Sequence, residues 1–164
     1  MLMKKKVRYT LLAIIAIIVL GVGYYGISPI FRNIKADEAL PQGAEEKAKN
    51  ASSTEHTATV VSEGAQVVGT TGHPASGTAR LVSADGKTYV RYENFKTLNG
   101  PDIYVYLSKD LDAKEYIDLG KVRATEGNIN YEVPAGIDAS EYRYVLTWCK
   151  TFSVLFNYAD LFQE

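Results

Sequence analysis

Cys149 is the only cysteine in the chain, and no other side chain offers as much chemistry. A lone thiol in an oxidising compartment is a buried hydrophobe, a reactive group, or half of an intermolecular disulfide. Its neighbours Trp148 and Lys150 bear on that choice, because a nearby cation lowers a thiol's pKa and raises its reactivity. In a regular strand, however, Lys150 points to the opposite face, beside Trp148. A depressed thiol pKa would then need a bulge or another cation, such as Arg143 on a bent strand or His73 brought in by the fold. By its local sequence, Gly72-His73-Pro74, His73 is an exposed loop residue.

Other catalytic signatures are missing from the sequence. There is no G-x-S-x-G elbow, H-E-x-x-H pair or G-x-x-x-x-G-K-[ST] loop. One Cys and two His cannot supply a four-ligand zinc site, so no metal is expected. Asp110 and Asp112 imitate the opening of a calcium loop, but Glu115 occupies the position that needs a sharp-turn Gly, which leaves a solvated connection. Gly21, Gly23 and Gly26 have the G-x-G-x-x-G spacing of a dinucleotide loop, yet they lie inside an apolar run with no preceding strand.

The elements that must position Cys149 read as strands. After about residue 69, short β-branched and aromatic runs alternate with turn signals, the pattern of an all-β, antiparallel, sandwich-like domain. Thr78 to Ala84 and Thr88 to Tyr92 flank Asp85-Gly86, a hairpin signal. Asn99-Gly100-Pro101-Asp102 makes a turn before Ile103 to Leu107, and further strands are expected over 116–122, 128–133, 142–149 and 152–156. In the run Tyr142 to Cys149 both faces are largely apolar, which predicts a central strand with Val145, Thr147 and Cys149 on one face. Phe152, Val154 and Phe156 share a face of the following strand and are expected to fill core. No helical period follows Phe31.

Charge divides the chain. Residues 1–35 hold six of the 18 Lys and Arg and no acidic residue, leaving 12 basic against 19 acidic residues beyond them. An acidic folded part is the reverse of a nucleic-acid footprint, so no nucleic-acid partner is expected. Tyr9 to Phe31 is 23 residues without a charge, long enough as a helix to cross a hydrocarbon core of about 30 Å. Lys4, Lys5, Lys6 and Arg8 precede it and only Arg32 and Lys35 follow closely. That bias puts the N-terminus in the cytoplasm and the C-terminal part outside. A cleaved signal peptide competes with this reading, but the apolar run is long and lacks a clear small-residue cleavage site.

The expected organisation is a basic tip and transmembrane anchor over 1–35, a flexible stalk over 36–68, and a β domain over 69–164. The stalk is rich in Ala, Glu, Lys, Ser, Thr and Gly, too poor in large apolar residues to repay its ordering entropy. As a coil it would span roughly 30 Å. Asn50-Ala51-Ser52 within it is a glycosylation sequon.

Several segments together resemble the electron transfer DM-thirteen domain family. They are His73-Pro74-Ala75-Ser76-Gly77-Thr78, Tyr92-Glu93-Asn94-Phe95, Asn99 to Leu107, Asp118-Leu119-Gly120, and Trp148-Cys149-Lys150-Thr151-Phe152-Ser153-Val154-Leu155-Phe156, in the family's order. The resemblance implies a β-sandwich-like fold and a redox or electron-transfer role centred on the cysteine of the W-C-x-x-F motif, here Cys149, with Trp148, Lys150, Phe152 and His73 as possible supporting residues. One departure is visible. Asn157 stands where the resemblance implies Gly, and Asn tolerates a left-handed backbone better than most residues. The competing function is a non-catalytic surface adhesion or protein-interaction module. A haem or flavin in an aromatic-lined pocket is a third option, and the expected partners are the membrane and an unidentified redox or surface protein.

Overall fold

The computed structural model describes residues 2–28, 32–41 and 62–162 of the chain. Helix α1 covers Leu2–Ile27 and is long and apolar enough to cross a membrane. Its large apolar side chains from Val7 to Ile27 are exposed, as in a helix meant for a non-aqueous surround. Gly21, Gly23 and Gly26 all lie within it, so their spacing builds no phosphate loop.

The remainder is a sandwich of two five-stranded sheets. In chain order the strands are β1 (Lys35–Asp37), β2 (Ala65–Gln66), β3 (Val68–Gly69), β4 (Ala75–Ala84), β5 (Lys87–Thr97), β6 (Ile103–Ser108), β7 (Tyr116–Lys121), β8 (Glu126–Glu132), β9 (Tyr144–Cys149) and β10 (Val154–Asp160). One sheet runs β1-β8-β5-β4-β2 and the other β3-β10-β9-β6-β7. Every pairing is antiparallel except β1 with β8. Asp85 and Gly86 both have positive φ, 50° and 73°, the geometry of a two-residue hairpin turn that matches strand twist. Within the sandwich, the helical piece among the described residues is a single 3-10 turn at Ala139–Glu141.

Alternation fills the space between the sheets. Leu81, Val90, Tyr92 and Phe95 of the first sheet and Ile129 of β8 pack against Val105, Leu107 and Val145 of the second. β9 is the middle strand of its sheet, as its two apolar faces predict. A smaller apolar cluster of Ile103, Cys149 and Phe156 forms at one end of that sheet.

The structure departs from the sequence expectations in three places. Phe152 and Val154 do not fill core; they are 57% and 36% exposed, and only Phe156 of that trio is buried. The cause is the turn after Cys149. Ser153 has φ 51° and ends a tight reversal, so β10 starts at Val154, and a register shift follows between Leu155 and Asn157. Asn157 is not left-handed but sits in β10, fully buried, with Nδ2 donating to Thr97 Oγ1 at 2.8 Å.

The third departure concerns the stretch read as a stalk. Its beginning joins the sandwich as part of β1 and its end as β2 and the start of β3. Backbone pairing needs no hydrophobic period, so composition did not announce these strands. The β1 contact depends on Gly127, whose φ is 118° and whose added Cβ would collide with Ala36 O. Residues 42–61, with the Asn50 sequon, lie outside the described residues.

Candidate functional site

β9 carries Cys149 to the rim of the sheet, between Ile103 of β6 and Val154 of β10, which are its direct cross-strand neighbours. The thiol-bearing residue is 1% exposed. It nevertheless does not lie in the main core. It forms part of the floor of an apolar cavity of about 280 Å³, whose other walls include His73, Leu98, Asn99, Phe152, Val154 and Phe156. Among the described residues, no charged side chain lines this cavity.

Three loops meet there. The turn after β9 is held when Lys150 N donates to Asp102 O (2.9 Å) and Thr151 Oγ1 donates to Asp102 Oδ2 (3.0 Å). In the turn before β6, Asn99 Oδ1 accepts from Gly100 N (2.9 Å), and Asn99 Nδ2 donates to Arg32 O (3.0 Å). The turn after β3 presents His73, whose ring stacks on Phe156 with centroids 4.0 Å apart and planes at 25°.

Thr70 fixes the protonation pattern of that imidazole. Its Oγ1 lies 2.7 Å from Leu155 O and 3.0 Å from Phe156 O. A threonine hydroxyl has one proton, and two carbonyls compete for it, so Oγ1 must accept from His73 Nδ1, 3.2 Å away. On this hydrogen-bond assignment the neutral ring carries its proton on Nδ1, and the lone pair resides on Nε2.

The residues singled out in the sequence therefore divide into two groups. Cys149, His73 and Phe152 line one cavity. Trp148 and Lys150 occupy the outer face of the sheet. Lys150 Nζ lies 3.4 Å from Asp118 Oδ2 and 4.6 Å from the Tyr104 ring centroid. The hydrogen bond to Asp118 raises the Lys150 pKa, so this ammonium is engaged away from the thiol. Arg143, the other cation considered for Cys149, makes a two-pronged contact with Asp160 (Nη2–Oδ2 2.7 Å) beyond the opposite end of β9.

Thr70, Leu98, Asn99 and Val154 were not legible as site residues. The Thr70–His73 spacing is an ordinary loop tripeptide step, and the walls come from segments far apart in sequence.

The family profile described as Electron transfer DM13 matches residues 67–161, from just before β3 to just past β10. The chain belongs to the electron transfer DM13 family. No curated protein and no solved structure matches it. The match takes in every cavity wall from Gly72 to Phe156, while Gly26 of α1, which also borders the cavity, lies outside it. The Trp148-Cys149-Lys150-Thr151-Phe152 motif of this DM13 domain is the end of a central strand plus its turn, which explains its alternating geometry: Cys149 inward, Trp148 and Lys150 outward, Phe152 at the cavity mouth.

Proposed function

We propose that this protein is a membrane-anchored, extracytoplasmic electron-transfer domain whose redox-active group is the Cys149 thiol. The observation that supports this reading is the position of Cys149 in the wall of a cavity that also contains an imidazole, instead of among the aliphatic side chains of the main core. Family membership supports an electron-transfer role. The positive charge before α1 supports a cytoplasmic N-terminus and an exported sandwich. With one cysteine per chain, the oxidised form is a sulfenic acid or a mixed disulfide with a small thiol.

Haem and flavin fit this cavity poorly. A volume of about 280 Å³ is at the small end for ligand pockets. Among the described residues no cationic side chain lines it to receive propionates or a phosphate.

The test compares the native chain with Cys149→Ser under titration with a mild oxidant, together with the alkylation rate of Cys149 against pH. Oxidant consumption that requires Cys149 in the folded protein is the expected result. A native thiol that stays inert until the protein unfolds would sink the redox reading.

A second reading, a protein-docking module, is favoured by one specific contrast between the faces. The first sheet's outer face is polar, with the pairs Arg80–Glu93 (2.6 Å) and Lys87–Glu132 (2.9 Å). The second sheet displays Tyr104, Tyr116, Tyr144, Trp148 and Tyr158, with Lys121 and Lys150 over the Tyr104 ring. Aromatic residues are enriched at interface cores. Loss of partner binding on substitution of this face, with Cys149→Ser binding normally, is what this reading expects.

A further inference from the structure

We propose that the Cys149 cavity binds the ring of a membrane-dissolved quinol of the substituted benzoquinol class, entering from the bilayer surface. The proposal deepens the redox reading given above and, for its electron-transfer meaning, rests on it.

Position comes first. Asn99, on the cavity rim, is hydrogen-bonded to the carbonyl of Arg32, only five residues beyond Ile27, the last residue of α1. Five residues reach at most about 18 Å. Gly26 of α1 itself borders the cavity. A few residues on, β1 pairs with β8 and Ile34 N donates to Thr125 Oγ1 (3.0 Å). The sandwich is thus fastened close to the end of the span, with the cavity on the side facing it.

The walls select an apolar visitor. Among the described residues the lining has no charged side chain, which disfavours phosphorylated or carboxylated ligands. Beyond α1, Phe152 is the most exposed large apolar side chain among the described residues, and Val154 beside it is 36% exposed. An exposed phenylalanine at the mouth of an apolar cavity gives a continuous apolar surface from the cavity toward the bilayer. About 280 Å³ accommodates one substituted six-membered ring, while an isoprenoid or alkyl tail must remain outside, along Phe152 and in lipid.

The polar content then distinguishes a quinol from a simple acyl chain. His73 and Phe156 form a stacked aromatic wall, a surface suited to offset stacking with another ring. Thr70 holds the imidazole proton on Nδ1, so Nε2 is an acceptor for a hydroxyl proton. Among the described residues no hydrogen bond is made to Nε2. A quinol offers that hydroxyl, whereas its oxidised partner offers only carbonyl acceptors, so the reduced form binds more tightly.

The experiment uses the full chain in lipid nanodiscs and a decyl-substituted, fully substituted benzoquinone, which cannot add a thiol at a free ring position. Trp148 is the only tryptophan and reports through fluorescence quenching. Expected is saturable quenching by the oxidised probe, displaced by the reduced probe at lower concentration. Val154→Tyr places a larger side chain directly opposite Cys149 at a partly exposed position; it weakens binding about tenfold, a change of about 1.4 kcal/mol, with the thermal transition retained. His73→Phe keeps the aromatic stack and removes the preference for the reduced probe. In the native chain, a Cys149 thiol inert to oxidant and alkylation while saturable binding persists rejects the redox reading alone. Quenching that rises linearly with membrane concentration of the probe, equally in native and Val154→Tyr proteins, overturns the site. Displacement by a saturated fatty alcohol as effective as by the quinol overturns the ring and leaves an acyl-chain groove.

Discussion

Thr70 and His73 are joined side chain to side chain at 3.2 Å, while the same Thr70 hydroxyl lies 2.7 Å from the carbonyl of Leu155. A three-residue loop contact is thereby tied to β10, on which Phe156 carries the stacked His73 ring. The imidazole's place is set by the fold, and on this hydrogen-bond assignment its neutral form carries the proton on Nδ1.

Removing that hydroxyl releases both constraints. Thr70→Val keeps shape and deletes the acceptor of the Nδ1 proton. The expected outcome is a shift of the neutral tautomer toward a proton on Nε2, read from imidazole nitrogen chemical shifts, and a stability loss of about 1 kcal/mol. An unchanged tautomer ratio contradicts the assignment.

The outward lysine should be irrelevant to the thiol. Lys150 is engaged by Asp118 and lies over Tyr104 on the other face of the sheet. Lys150→Ala is expected to leave the pH profile of Cys149 alkylation unmoved. A shift of that profile would show that the ammonium reaches the cavity side.

Asn157 and Thr97 join the two sheets from inside, through a hydrogen bond of 2.8 Å. Both residues are buried, so truncating either leaves a buried polar group exposed to apolar surroundings. Asn157→Ala and Thr97→Val should each cost about 1–3 kcal/mol in urea unfolding, with the double variant losing less than the sum. Strict additivity would mean that the bond contributes nothing of its own.

Gly127 controls how the sandwich is held near α1. A Cβ there collides with Ala36 O, so Gly127→Ala should detach β1 from β8. Expected are loss of hydrogen-exchange protection at residues 35–37 and retained protection in β5 and β9. Intact protection at 35–37 would show that β1 is held by other contacts.

Acid sensitivity should trace to Asp110 and Asp160. Backbone amides of Lys114, Glu115 and Asp112 hold the Asp110 carboxyl below the usual carboxylate range, the Lys114 bond foremost, and the Arg143 hydrogen bond does the same for Asp160. A carboxyl whose folded-state pKa is depressed stabilises the fold above its ordinary value, and that contribution is lost as pH falls through the folded value. Asp110→Asn is therefore expected to lower stability near neutrality and to flatten the decline as pH falls below about 4. A variant with the native slope in that window removes Asp110 from the acid response.

The strands around Cys149 were readable because their signals are local. Alternation in Tyr142 to Cys149 marked a central strand, observed over Tyr144–Cys149, Asp85-Gly86 marked a hairpin, and the charge-free run Tyr9 to Phe31 marked a helix long enough to cross a membrane. The family resemblance likewise ran through contiguous motifs and was matched over residues 67–161.

What tertiary structure alone decided is the company Cys149 keeps. Its cavity takes His73 from the turn after β3, Asn99 from the turn before β6, and Phe152, Val154 and Phe156 from the turn after β9 and from β10. A tight reversal at Ser153 moved Phe152 and Val154 from expected core to the cavity mouth. Nor did composition reveal β1, whose pairing depends on the backbone and one close approach at Gly127. Periodicity records which face a residue occupies within its own strand; which distant loop closes over that face depends on strand order and register, set by pairing across the whole sandwich.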